Sequence, residues 1–89
     1  MDQHTRKVLM ELQAQLRHTD TLPESEREFA DELYEEIEVL LSRPGAVLAA
    51  EHQPLLERLD EATQRFEVTH PELTGVIARV INSLSTMGI

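Results

Sequence analysis

Residues 70–89 read HPELTGVIARVINSLSTMGI and carry only two formal charges, Glu72 and Arg79, in a chain whose formal net charge is -9. Leu73, Val76, Ile77, Val80, Ile81, Leu84 and Met87 recur at the three- and four-residue intervals that stack side chains on one face of an α-helix. Opposite them, at about 100° per residue, fall Thr74, Gly75, Ala78, Asn82, Ser85 and Thr86, all small or uncharged. The helix within it, about 17 residues, is short for a bilayer, which wants about 20 mostly apolar residues. Arg79 near its centre adds a penalty of about 2.5–3.5 kcal/mol for insertion. The reading is therefore a helix buried along one face, with a second face that is either an ordinary exposed polar face or a contact surface whose short side chains let another helix approach. Thr74, Gly75, Ala78, Asn82 and Ser85 are the candidate self-association residues.

Working outward from that helix, three further segments have helical periodicity and none alternates like a strand. Thr5, Leu9, Leu12 and Leu16 form the first stripe. Phe29, Leu33, Ile37 and Leu40 form the second, widened by Ala30, Tyr34 and Leu41. Leu55, Leu59, Ala62 and Phe66 form the third. Thr21-Leu22-Pro23-Glu24 and Thr69-His70-Pro71-Glu72 share the pattern T-x-P-E, which reads as a capping box with proline tolerated in the first turn. Pro54 is expected to open the third helix for the same reason, and Gly88-Ile89 suits a left-handed terminator of the fourth. Residues 44–53 are read as a connector, either a short helical turn over Ala46–Glu51 or a mobile loop. The fold class is thus all-α: one domain, 1–89, forming a small antiparallel bundle of four short helices at roughly 3–18, 22–43, 54–68 and 70–87. A helical hairpin pair completed only by dimerisation is the rival. At this length buried area and ordering entropy nearly cancel, so a homodimer is a natural source of extra stability.

Asp and Glu outnumber Lys and Arg by 17 to 8, and Lys7 is the sole lysine. Phosphate backbones need clustered cations, so direct nucleic-acid binding is disfavoured. The charge concentrates on the second helix, where Glu28, Asp31, Glu32, Glu35 and Glu36 lie away from Phe29 and Leu33 and are the candidate partner-binding residues. Glu28 with Glu32, and Glu32 with Glu36, are like-charge pairs four apart, while Arg27 with Asp31 is expected to be a favourable one. The ordinary role of such a run is a solvated face. Two others compete: an internal partner in the stripe Arg6, Met10, Gln13 and Arg17 of the first helix, or an external basic protein.

Catalytic parts are thin. Without cysteine, a Gly-rich phosphate loop or a nucleophile elbow, the common covalent and nucleotide sites lack their components, and no enzyme is expected. His4, His18, His52 and His70 fall at helix ends or in loops. Glu67-Val68-Thr69-His70 has the E-x-x-H spacing of di-iron bundles, but those need two such motifs plus two more inward Glu, so neither metal nor cofactor is expected. The opening MDQHTRKVLMELQ has no apolar run of the signal-peptide kind, which makes the cytoplasm the expected compartment.

Thr19-Asp20-Thr21-Leu22 ahead of the acidic helix, RFEVTHPELT at Arg65–Thr74 and STMGI at Ser85–Ile89 together resemble a family of small bacterial proteins catalogued as a domain of unknown function. Those proteins carry an H-P-x-L-T signature, here His70, Pro71, Leu73 and Thr74, and close on M-G-I. The resemblance implies a bacterial origin and a free-standing single domain, and supplies no activity or substrate. The functional expectation is a small interaction or adaptor protein, self-associating as a homodimer, with its acidic helix available to a basic protein partner. The alternatives are a carboxylate-rich metal- or small-molecule-binding bundle and an acidic mimic of nucleic acid.

Overall fold

A computed structural model of the chain describes the backbone of residues 3–42 and 49–87 and the side chains of 3–42 and 53–86. Four α-helices follow one another: α1 (Gln3–His18), α2 (Glu24–Ser42), α3 (Ala49–Phe66) and α4 (Pro71–Met87). They are arranged in a ring in which α4 packs on α1 and α3, and α2 closes the other side against the same two helices. The molecule measures 35 × 20 × 20 Å, which is one helix long and about two helix diameters in each other direction. Its radius of gyration, 12.3 Å, matches the roughly 12 Å of a compact folded chain of this length.

One apolar cluster draws on all four helices, so a single chain closes the bundle and the half-bundle that needs a second copy is not the arrangement observed. Every predicted apolar stripe points inward. Leu9, Leu12 and Leu16 meet Phe29, Leu33 and Ile37, with Leu59, Ala62 and Phe66 from α3 and Leu73, Ile77, Val80 and Leu84 from α4. Thr5 is buried beside them, and Val8, which lies outside the predicted stripe, joins the core next to Leu9 and Leu12. Phe29 and Phe66 meet edge to face with ring centroids 6.2 Å apart, a geometry that adds about 0.5–1.5 kcal/mol to simple burial. Among the described residues no helix is long and apolar enough to cross a membrane.

The helix ends correct the sequence reading in three places. Helix α3 starts at Ala49, so residues 49–53 of the expected connector are helical and Pro54 lies inside the helix instead of opening it. Ala49 and Ala50 are the strongest of helix formers, and Pro54 in the second turn gives up only the one backbone bond its missing N–H would have made to Ala50. At its other end α3 stops at Phe66, with Glu67–Thr69 forming a turn before the residue that Pro71 holds out of the helical region. Helix α2 begins at Glu24, two residues later than expected, because Pro23 supplies the carbonyl that receives the Arg27 amide at 2.8 Å. The expected end of the second helix at residue 43, residues 44–48 of the connector and the Gly88-Ile89 terminator lie outside the described residues.

Candidate functional site

The acidic side of α2 divides in two. Glu32 and Glu36 lean toward α3, where Arg58 reaches both: its Nη1 lies 2.7 Å from Glu32 Oε2 and its Nε 2.8 Å from Glu36 Oε1. Two turns further along the same flank, Arg65 lies 2.7 Å from Glu26 and 3.0 Å from Glu61, with its guanidinium 4.4 Å from the centre of the Phe29 ring. The hydrogen bond that Arg65 donates to Glu61, reinforced by that to Glu26, outweighs desolvation and raises the Arg65 pKa above its ordinary value, so this side chain stays a cation. Glu28, Asp31 and Glu35 face outward, exposed, with no cation paired to them among the described residues.

The expected Arg27–Asp31 pair does not form. Arg27 turns instead to the end of α1 and donates to the Leu16 carbonyl at 3.3 Å and to the Thr19 carbonyl. The last carbonyls of a helix have no partners of their own and sit at the negative end of its dipole, and a guanidinium there is better placed than beside an exposed carboxylate. The first-helix stripe does reach α2. Gln13 donates its amide to Tyr34 O at 3.3 Å and to Glu38 Oε1 at 3.2 Å, Arg6 donates to Leu41 O at 3.1 Å, and Arg17 stacks 4.6 Å above the Tyr34 ring. Met10, the fourth member, points outward. Arg17, Arg27, Asp31, Tyr34 and Glu35 line a groove of about 400 Å³ between the two helices.

On α4 the residues proposed for self-association form one open stripe. Gly75, Ala78, Asn82 and Ser85 are exposed, and a methyl group built on Gly75 would meet no atom within 4 Å. Thr74 is half-buried and its hydroxyl returns to Pro71 O at 2.8 Å, so it closes the first turn of its own helix. Arg79 leaves the stripe toward α1 and pairs with Glu11 at 2.8 Å.

The two T-x-P-E segments meet at His70. Its carbonyl accepts from the Leu73 amide at 3.0 Å and the Thr74 amide at 3.4 Å, which makes His70, not Thr69, the residue that opens α4. The hydroxyls expected to cap their own helices bond to its ring instead: Thr21 Oγ1 lies 3.1 Å from Nε2 and Thr69 Oγ1 3.0 Å from Nδ1. A hydroxyl can donate or accept, so both contacts persist in either tautomer of the neutral ring. The ring also stands edge-on to Phe66 at 5.9 Å. In the H-P-x-L-T segment, then, His70 ties the α1–α2 loop to the α3–α4 junction, Pro71 begins the helix, and Leu73 is its first fully buried side chain.

Beside this junction lies a cleft of about 390 Å³ lined by Thr21, Pro23, Glu26, Arg65, Thr69 and His70. Glu26 Oε1 takes the Arg65 guanidinium while Oε2 is buried with no hydrogen-bond partner. Among the described residues no three His, Asp or Glu side chains lie close enough together to hold a metal ion.

Sequence reasoning did not single out Arg58 and Arg65, although their seven-residue spacing puts them on one side of α3 and was a readable signal. What it could not supply was which neighbouring helix that side would face. Neither the curated proteins nor the solved structures include a match to this chain. A family model does match, over residues 6–89, and the chain therefore belongs to the family described as a domain of unknown function, DUF4404.

Proposed function

We propose that this is a non-enzymatic interaction or adaptor protein whose outward α2 face takes a basic protein partner, and which pairs with itself through the small-residue face of α4. The observation that carries the reading is the division of the α2 carboxylates: Glu32 and Glu36 share an ion pair with Arg58, while Glu28, Asp31 and Glu35 on the outer side have no ion pair among the described residues. Three like charges on about two turns of helix repel one another and favour a cationic ligand. The self-pairing rests on the open space around Gly75 and on Ala78, Asn82 and Ser85, which expose almost no charge on a strongly acidic protein. We further take the origin to be bacterial, the compartment to be the cytoplasm, and His70, Pro71, Leu73 and Thr74 to be the family's signature. Direct contact with nucleic acid does not suit a chain of net charge -9.

A titration with a Lys- and Arg-rich peptide tests the acidic face. Binding is expected to weaken with added salt and to fall about tenfold or more in the triple variant Glu28→Gln, Asp31→Asn, Glu35→Gln, because three charge contacts are lost together. Equal affinity in the variant would eliminate this face as the binding surface.

A further inference from the structure

The outward stripe of α1 differs in character from the rest of the surface. Gln3, Arg6, Lys7, Met10, Glu11 and Ala14 line an open, mostly apolar groove of about 570 Å³. Met10 is 55% exposed within it, and Lys7 beside it has no ionic partner among the described residues. Arg58, Arg65 and Arg79 are committed to carboxylates, Arg6 and Arg27 to carbonyls, and Arg17 to the Tyr34 ring. On an acidic protein this groove therefore joins an apolar centre to the cations Arg6 and Lys7, with Glu11 at its edge already paired to Arg79.

The outward stripe of α2 has the complementary pattern. Val39 is 56% exposed, and along the same side of the helix run Glu35, Asp31 and Glu28. Met10 and Val39 are two of the three large apolar side chains exposed among the described residues, and each sits beside charge of the opposite sign. One copy cannot bring the two stripes together. Arg6 is level with Leu41, so Glu35 to Glu28 lie about 9–20 Å further along α2, where Asp31 and Glu35 border the groove with Arg17 and Arg27 and not the Met10 stripe.

Building on the acidic-face reading above, we infer that a basic partner of α2 is a second copy of this chain, docking its α1 groove around Met10 and Lys7 onto Val39, Glu35 and Asp31. Such a contact joins the α1 stripe of one copy to the α2 stripe of the next, and where it is not returned reciprocally it propagates head to tail. It is a separate contact from the α4 pairing.

The test uses the full chain carrying Ala78→Arg, which blocks the α4 face, and follows sedimentation as concentration is raised. Concentration-dependent association is expected, weakened about tenfold or more by Lys7→Glu and likewise by Glu35→Lys, since each places like charges opposite one another. Mixing the two variants is expected to restore association between them, which neither variant shows alone. A Met10→Asp variant should lose association while keeping its helical circular dichroism. The inference is overturned if the Ala78→Arg protein stays monomeric throughout, or if the mixture associates no better than its components. In either of those cases, continued capture of the basic peptide would leave the acidic-face reading standing, whereas loss of peptide binding would remove that reading too.

Discussion

His70 does three things at once: its carbonyl receives the first amides of α4, its ring bonds hydroxyls on two loops, and its edge rests on Phe66. The Thr21 contact joins residues 49 positions apart, so it resists separation of the two ends of the chain in a way that a local cap does not. A hydrogen bond of this kind contributes about 0.5–1.5 kcal/mol. The double-mutant cycle of Thr21→Val and His70→Ala, read by urea unfolding, is therefore expected to give a coupling of about 0.5–1 kcal/mol. Strict additivity would mean that the two side chains do not support one another. Only half of this was readable beforehand. That T-x-P-E and H-P-x-L-T mark helix starts follows from proline's fixed dihedral and its missing donor, which are local properties. That both threonines serve the same imidazole depends on two loops meeting at one end of the bundle, which no spacing along the chain encodes.

At the scale of an element, α3 holds the clearest misreading and the most useful one. Proline in the second turn costs a backbone bond to Ala50 and crowds that carbonyl, yet the helix runs through it, and Leu55 and Leu59 just beyond are buried in the core. Pro54→Ala is expected to stabilise the protein by about 1–2 kcal/mol, less than the roughly 3 kcal/mol of a mid-helix proline because the site is near the end and the proline also restricts the unfolded chain. A variant less stable than the parent in chemical denaturation would mean that the proline is needed where it stands. Helix α2 teaches a similar lesson about charge. Its like-charge pairs looked mildly destabilising in isolation, and Arg58 relieves them from a different helix. Arg27 chose the carbonyls at the end of α1 over the i+4 carboxylate. An exposed pair on a helix is worth only a few tenths of a kcal/mol, which tertiary partners easily override.

For the whole molecule, one cluster of buried side chains from four helices makes the single chain self-sufficient, so pairing through α4 has to add to a finished fold instead of completing one. The exposed stripe of Gly75, Ala78, Asn82 and Ser85 allows backbones to approach closely, and a long charged side chain in its middle would hold them apart. Ala78→Arg is accordingly expected to convert a dimer into a monomer at low protein concentration in sedimentation, with the helix content unchanged. A parent that is already monomeric there, or a variant of unchanged mass, would remove this face from the interface.

The amino-acid order by itself determined that there are four helices, which side of each is buried, and where the acid is concentrated. Periodicity, proline and charge act over a few residues and leave their mark in the linear pattern. Tertiary structure alone decided which flank of each helix meets which neighbour. It therefore decided that Arg58 quenches Glu32 and Glu36 while Glu28, Asp31 and Glu35 stay open, that Gln13 is buried between two acceptors, and that His70 gathers both threonines. The reason is physical: apolar burial fixes the inward direction of a helix strongly, whereas the rotation and pairing of its flanks rest on single polar contacts. Their partners exist only once the bundle has closed.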